Sequence, residues 1–298
     1  MRKHHICQSN TIYYQDPEQT IIIGAYHHHF QYDEGNTNTS TDLIPGHLDL
    51  TSSAVFTSCE WKQCSASDGG AIYIATHNVE LRVDKCQFLL CVAQSIGGGI
   101  YAHSSSCIAV QELFFHSCQS KTTDLSYGGG GIFLYAISTQ IQIAFSTFCN
   151  CEAICDGAGV DIHEFYLSQS SSYAFSACRF IKCTNSKSEW CEGGALLLWN
   201  ITLLPCTNSL FSGNEGWAGG AYGTNCVSCK PHYQMYFCFF HINLASYGND
   251  IYFLSQLSNS PLLHCFSTSD ETRIYNGNDY NWLPLGDIRY KIDRTLTC

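Results

Sequence analysis

Charge is what this chain most lacks. Charged residues make up 13% of its 298 positions, about half the share usual in globular domains. Lys and Arg number 14 against 25 Asp and Glu, for a net charge of −11. The basic footprint of a nucleic-acid partner is therefore absent. Proline (6) and methionine (2) are scarce. No stretch approaches the ~20 apolar residues of a membrane-spanning helix, and helical periodicity is missing. The N-terminal Met1-Arg2-Lys3-His4-His5-Ile6-Cys7 carries positive charge but no apolar run behind it, so no signal peptide is expected. The chain reads either as intracellular or as a piece of something longer.

What is plentiful is Gly (24), Tyr (18), Phe (17) and Cys (19), within a hydrophobic content of 45%. Aromatics and glycine with few charges suit close-stacked strands. Dense cysteine points to an oxidising compartment. An odd count leaves at least one thiol without an internal partner, and no zinc-finger spacing recurs.

One sentence is written seven times. Its aromatic anchors are Trp61, Phe88, Phe115, Phe148, Phe180, Phe211 and Phe240, at intervals of 27, 27, 33, 32, 31 and 29 residues. Three residues after each stands Cys64, Cys91, Cys118, Cys151, Cys183, Asn214 or Asn243. A glycine element follows: Gly69-Gly70, Gly98-Gly99 within a Gly97-led run, Gly129-Gly130 within a run from Gly128, Gly157 with Gly159, Gly193-Gly194, Gly219-Gly220, and a worn last copy at Gly248. Seven and five residues before each anchor lie apolar or Cys pairs: Ala54/Phe56, Leu81/Val83, Ile108/Val110, Ile141/Ile143, Tyr173/Phe175, Leu204/Cys206 and Tyr233/Met235. A spacing of two puts each pair on one strand face. The residue two before the anchor (Cys59, Cys86, Leu113, Ser146, Cys178, Ser209, Cys238) is one step out of phase with the pair, so the chain turns a corner between them.

Each repeat thus holds three short strands: one after the glycines, one with the apolar pair, one with the anchor. Three strands per ~30 residues describe one coil of a parallel β-helix. The expected fold is all-β, a single-stranded right-handed parallel β-solenoid of about seven coils, its hand following the rule for parallel crossovers. Residues 46–255 form the solenoid, 1–45 an N-terminal cap in which Ile21-Ile22-Ile23-Gly24-Ala25-Tyr26 is a covering strand, and 256–298 a C-terminal cap. Insertions at 119–127, 184–192, 164–172 and 223–232 are expected to protrude, because they leave the stacked strands alone.

The aromatic-x-x-Asn element of Phe211–Asn214 and Phe240–Asn243, with Gly69-Gly70-Ala71-Ile72, Gly193-Gly194-Ala195-Leu196 and Gly219-Gly220-Ala221-Tyr222, resembles the polymorphic outer membrane protein family of chlamydiae. Similar repeats occur in cysteine-rich trichomonad surface proteins, and Cys in the Asn place of five repeats is closer to these. The resemblance spans residues 50–255. It implies a non-catalytic helix displayed at a cell surface or outside the cell and linked with adhesion or antigenic variation, meeting a protein or glycan partner; the residues themselves lead us to expect no cofactor and no metal.

Several groups invite chemistry. Stacked ladder cysteines lie ~4.8 Å apart, but their side chains run parallel and their Cβ atoms stay beyond the ~3.8 Å a disulfide prefers. Packed free thiols are expected, a covalent staple formed on export being the alternative. Cys226-Val227-Ser228-Cys229 lacks the second ligand pair or βαβ context of a zinc or redox site. Cys149, Cys151 and Cys155 could clasp a metal but belong to a regular coil. His4-His5 and His27-His28-His29 read as polar surface. Asp68, Asp124, Asp156, Glu192, Glu215 and Asp250 flank the glycine corners and would need calcium if they stacked, yet their offsets vary. Asp161-Ile162-His163-Glu164 is the best local cluster, with Asp161 and His163 on one face. It keeps open a polysaccharide lyase or glycosidase, which needs paired carboxylates ~5–9.5 Å apart. Asn38 and Asn200 head glycosylation sequons.

Overall fold

The computed structural model describes residues 21–24, 47–50, 53–74, 80–103, 107–121, 127–136, 140–164, 172–186, 191–201, 203–225, 232–247, 249–253, 262–267 and 274–276. The regular elements among them are all strands. These pair in parallel, each with its equivalent in the next repeat, and stack into a β-solenoid. Four strands recur rather than three. From the first glycine corner they are Ile72–Ile74, Glu80–Asp84 with its apolar pair, Gln87–Leu89 with its anchor, and Val92–Ala93. The fourth strand, two residues long in most repeats, has no room to show a period, which is why its stretch reads as loop in the sequence.

Strands after the glycines form a nine-stranded sheet from Leu48–Leu50 to Ile274–Asn276. The short fourth strands form a seven-stranded sheet. Apolar-pair and anchor strands belong to one fifteen-stranded sheet, joined where His232–His241 runs through the corner as a ten-residue strand. Ile21–Gly24 pairs in parallel with Ala54–Thr57, and Leu262–Ser267 with His232–His241.

The expected corner between pair and anchor strands is built by one residue in the left-handed region: Ser58, Lys85, Glu112, Phe145, Ala177, Asn208 and Phe237, with φ between 51° and 54°. A second corner of the same kind follows each anchor strand, at Gln63, Leu90, Ser117, Asn150, Lys182, Gly213 and Ile242. A third falls on Gly69, Gly97, Gly129, Gly157, Gly193 and Gly219. In the second repeat the corner glycine is therefore Gly97, one residue ahead of the Gly98-Gly99 pair the pattern singles out. Gly98 is glycine for another reason: a Cβ there would sit 2.2 Å from the Gly130 carbonyl oxygen and 2.4 Å from that of Gln119.

The apolar pairs from Ala54/Phe56 to Tyr173/Phe175 point inward and bury, as do Cys206 and Met235. The anchors do more than bury. Their rings stack in one column from Trp61 to Phe240, with successive centroids 4.7, 4.5, 4.8, 4.9, 4.9 and 5.0 Å apart and planes within 8° of parallel. That spacing matches the distance between hydrogen-bonded strands, so ladder geometry and ring contact are satisfied together.

Beside the rings, Cys and Asn do the same job. Asn214 Nδ2 donates to the Phe180 carbonyl of the preceding repeat at 3.0 Å, and Asn243 Nδ2 to that of Phe211 at 3.1 Å. Cys91, Cys118 and Cys183 donate Sγ–H to Trp61, Phe88 and Phe148 carbonyls at 3.6, 3.3 and 3.5 Å. Burial pushes the Cys118 and Cys151 thiols well up, which keeps them protonated. The ladder cysteines Cys64, Cys91, Cys118, Cys151 and Cys183 are all free thiols. In the other ladder, Cys59, Cys86, Ser146, Cys178 and Ser209 donate to the carbonyl two residues back, across the corner, at 2.8–3.4 Å.

Two pairs of substitutions separate these roles. Gly98→Ala meets backbone on two sides and is expected to lose about 3 kcal/mol in urea unfolding. Gly213→Ala, whose Cβ meets only the Lys182 side chain at 3.5 Å, should lose only the left-handed strain of about 1–2 kcal/mol. Cys183→Asn keeps a donor for the Phe148 carbonyl and should change stability by less than about 1.5 kcal/mol. The similarly shaped Cys183→Asp faces the same carbonyl with an acceptor, and should cost about 3 kcal/mol or more; equal losses for the two would remove the donor role.

Candidate functional site

On the solenoid's outer surface, one place is not surface at all. In Val160–Glu164 every residue is buried. Val160 and Ile162 point into the core. Asp161 and His163 alternate onto the opposite face, as their spacing predicts, yet they are 0% and 5% exposed. The cover is specific. In register along the sheet, Asp161 lies between Phe133 and Leu197, and His163 between Tyr135 and Trp199. The His163 ring stacks on Trp199 at 5.5 Å with planes 2° apart, and meets Phe133 at 5.4 Å and Tyr127 at 5.3 Å. Tyr127, at the end of one predicted insertion, also packs edge-on against Phe133.

Asp156 completes the cluster from the preceding corner. It sits in the left-handed region at φ 40°, just before Gly157, and is 3% exposed. Its Oδ1 accepts the Glu192 N–H at 2.8 Å. Asp161 Oδ2 accepts the Gly128 N–H of the previous repeat at 2.9 Å. Both carboxylates are thereby tied to backbone of neighbouring repeats. Asp161 Oδ1 lies 2.9 Å from His163 Nε2, an ion-pair distance without hydrogen-bond alignment, so neither atom has a hydrogen-bond partner among the described residues. One ligand-capable atom from each of Asp156, Asp161 and His163 falls within 4.8 Å of the others. Glu192 closes the neighbourhood, 6% exposed, with Oε2 buried and not hydrogen-bonded.

Burial, and then the charge of Asp161, holds the Asp156 carboxyl well above the usual carboxylate range. The same two causes, in the same order, push Glu192 up to about 8. Among the described residues no Lys or Arg forms an ion pair with Asp156, Asp161 or Glu192. A disulfide, Cys155–Cys191, fastens the Asp156 corner to the segment carrying Glu192, across 36 residues of sequence.

The other sequence candidates scatter. Cys155 and Cys149 are disulfide-bonded while Cys151 is a free ladder thiol, so these three do not form a metal set. Of the corner acids, Asp156 and Glu192 converge. Asp250 accepts from Asn243 Nδ2 at 3.0 Å, and Asp68 and Glu215 are partly exposed in other repeats. His4, His5, His27, His28, His29, Cys226, Cys229, Asp124 and the Asn38 sequon lie outside the described residues, as do the tips of the predicted insertions. Sequence spacing finds Asp161 with His163. It misses Asp156 as their partner, which the left-handed corner at Asp156 and Gly157 folds back onto the strand, and Cys191 as a bridge, which meets Cys155 only through inter-repeat stacking.

Closing a 36-residue loop is worth about 4 kcal/mol of chain entropy in the unfolded state. The double substitution Cys155→Ser/Cys191→Ser is expected to lower unfolding stability by about 3–4 kcal/mol, and reductant should do the same to the natural chain; indifference to reductant would show that the bridge does not form. The chain matches no family model, no curated protein and no solved structure.

Proposed function

We propose that this chain is a non-catalytic display scaffold, carried at a cell surface or outside the cell, that adheres to a protein or glycan partner through its protruding loops. The reading takes the solenoid as right-handed and single-stranded, with about seven coils. Seven anchors in one continuous ring column support that number. One observation carries the function. The repeat interval ranges from 27 to 33 residues, while the anchor strands keep an unbroken register. All the length variation is therefore exported to the connections, where a display protein diversifies. Among the described residues no helix is long and apolar enough to cross a membrane.

Display is favoured over polysaccharide cleavage by burial. Cleavage needs carboxylates that a polymer can reach, and Asp156, Asp161 and Glu164 are each 3% exposed or less.

The test uses the full chain, fluorescently labelled, on intact animal cells and on immobilised glycans. Saturable binding is expected. It should fall at least tenfold when residues 165–171 and 226–231 are replaced by Gly/Ser segments of equal length, with the β circular-dichroism spectrum kept. Binding indifferent to both replacements, or release of reducing ends from acidic polysaccharides, would reject the display reading.

A further inference from the structure

We infer that Asp156, Asp161 and His163 form a structural binding site for a divalent transition cation of the zinc class. Three independent features converge. The first is geometry: the three candidate ligand atoms already stand within 4.8 Å of one another. Ligands around a zinc at ~2.0–2.1 Å are about 3.3 Å apart, so closure requires side-chain adjustment and no strand movement.

The second feature is the pair of atoms left over. Asp161 Oδ1 and His163 Nε2 are fully buried, stand 2.9 Å apart and have no hydrogen-bond partner among the described residues. A buried polar atom left unpaired costs about 1–3 kcal/mol, and two this close, with Asp156 beside them, are what one shared cation would satisfy. The other oxygens are already used. Asp161 Oδ2 holds Gly128 N–H and Asp156 Oδ1 holds Glu192 N–H, the kind of outer contacts that fix ligands around a metal.

The third is charge. Two carboxylates of the site, with Glu192 beside them, are buried, and no Lys or Arg among the described residues pairs with them. Isolated buried carboxylates are strongly disfavoured; a dication offsets them. Glu192 Oε2 is also buried without a hydrogen bond, and the Glu192 backbone N–H already binds the Asp156 carboxylate.

The ligand types select the ion. Calcium takes six to eight oxygens and magnesium is held mainly by oxygen ligands, whereas two aspartates with an imidazole under an aromatic cover supply few oxygens. Imidazole with carboxylate suits zinc and its neighbours. Because the ligands come from a corner and a strand that are joined only in the folded solenoid, binding would stabilise the fold rather than serve an exposed reaction.

The experiment starts from the full chain with His4, His5, His27, His28 and His29 changed to Ala and Cys226 and Cys229 to Ser. This removes the other histidine and Cys-x-x-Cys candidates. Cobalt(II), then zinc, is added to chelator-treated protein. One cobalt per chain is expected, with visible ligand-field bands and no thiolate-to-cobalt charge transfer, displaced by zinc. Zinc should raise the melting temperature. Asp161→Asn keeps an acceptor for Gly128 but loses the anionic ligand, and should weaken binding at least ~100-fold while folding as well as the parent without metal. His163→Gln is read alongside it, so that a folding failure of one variant leaves the other decisive. No cobalt bands, bands carrying thiolate charge transfer, or bands unchanged in both variants would overturn the site.

Discussion

Every coil must place its aromatic ring directly over the last one, and this requirement disciplines the rest of the molecule. Parallel strands hydrogen-bond at a separation of about 4.8 Å, and the column from Trp61 to Phe240 holds its rings at 4.5–5.0 Å. Offset-stacked rings at that distance are attractive beyond their burial. A one-residue slip in any coil would rotate its ring out of the core and break the column. Corners, glycines and thiols are all arranged so that no slip occurs. The left-handed residues on either side of the first six anchor strands confine each to three residues, and Cys91, Cys118, Cys183, Asn214 and Asn243 each donate to the previous anchor's own carbonyl.

Most of this is legible in the sequence because stacking makes it periodic. The phase slip between Phe56 and Cys59 announces a corner, and Ser58 is where it lies. Equivalence of Cys183 and Asn214 in the pattern corresponds to an equivalent hydrogen bond. What the sequence conceals has no period. Val92–Ala93 is too short to alternate. The second corner uses Gln63, Leu90, Ser117 and Asn150, which share no side-chain chemistry and so leave no signature.

The site is half legible for the same reason. Asp161 and His163 are two apart on one strand, and local alternation places them together. Their burial depends on Tyr127 arriving from an insertion and on Trp199 arriving from the next repeat. Asp156 joins them because the corner turns the chain back on itself between positions 156 and 161. Polar residues on an outward strand face ordinarily mean solvent; here an aromatic cover converts them into a second, smaller interior with its own electrostatics.

The Cys155–Cys191 bridge has a mechanical meaning. A solenoid whose coils touch only their neighbours gives way under tension by peeling from its ends, one coil at a time. Peeling stops mattering at a covalent rung. Force arriving at Cys155 passes through sulfur to Cys191 and leaves the 36-residue loop between them slack. Asp156, Asp161 and His163 all lie inside that loop. When a pull enters and leaves the chain outside residues 155–191, the segment holding the buried cluster is the part that bears no load.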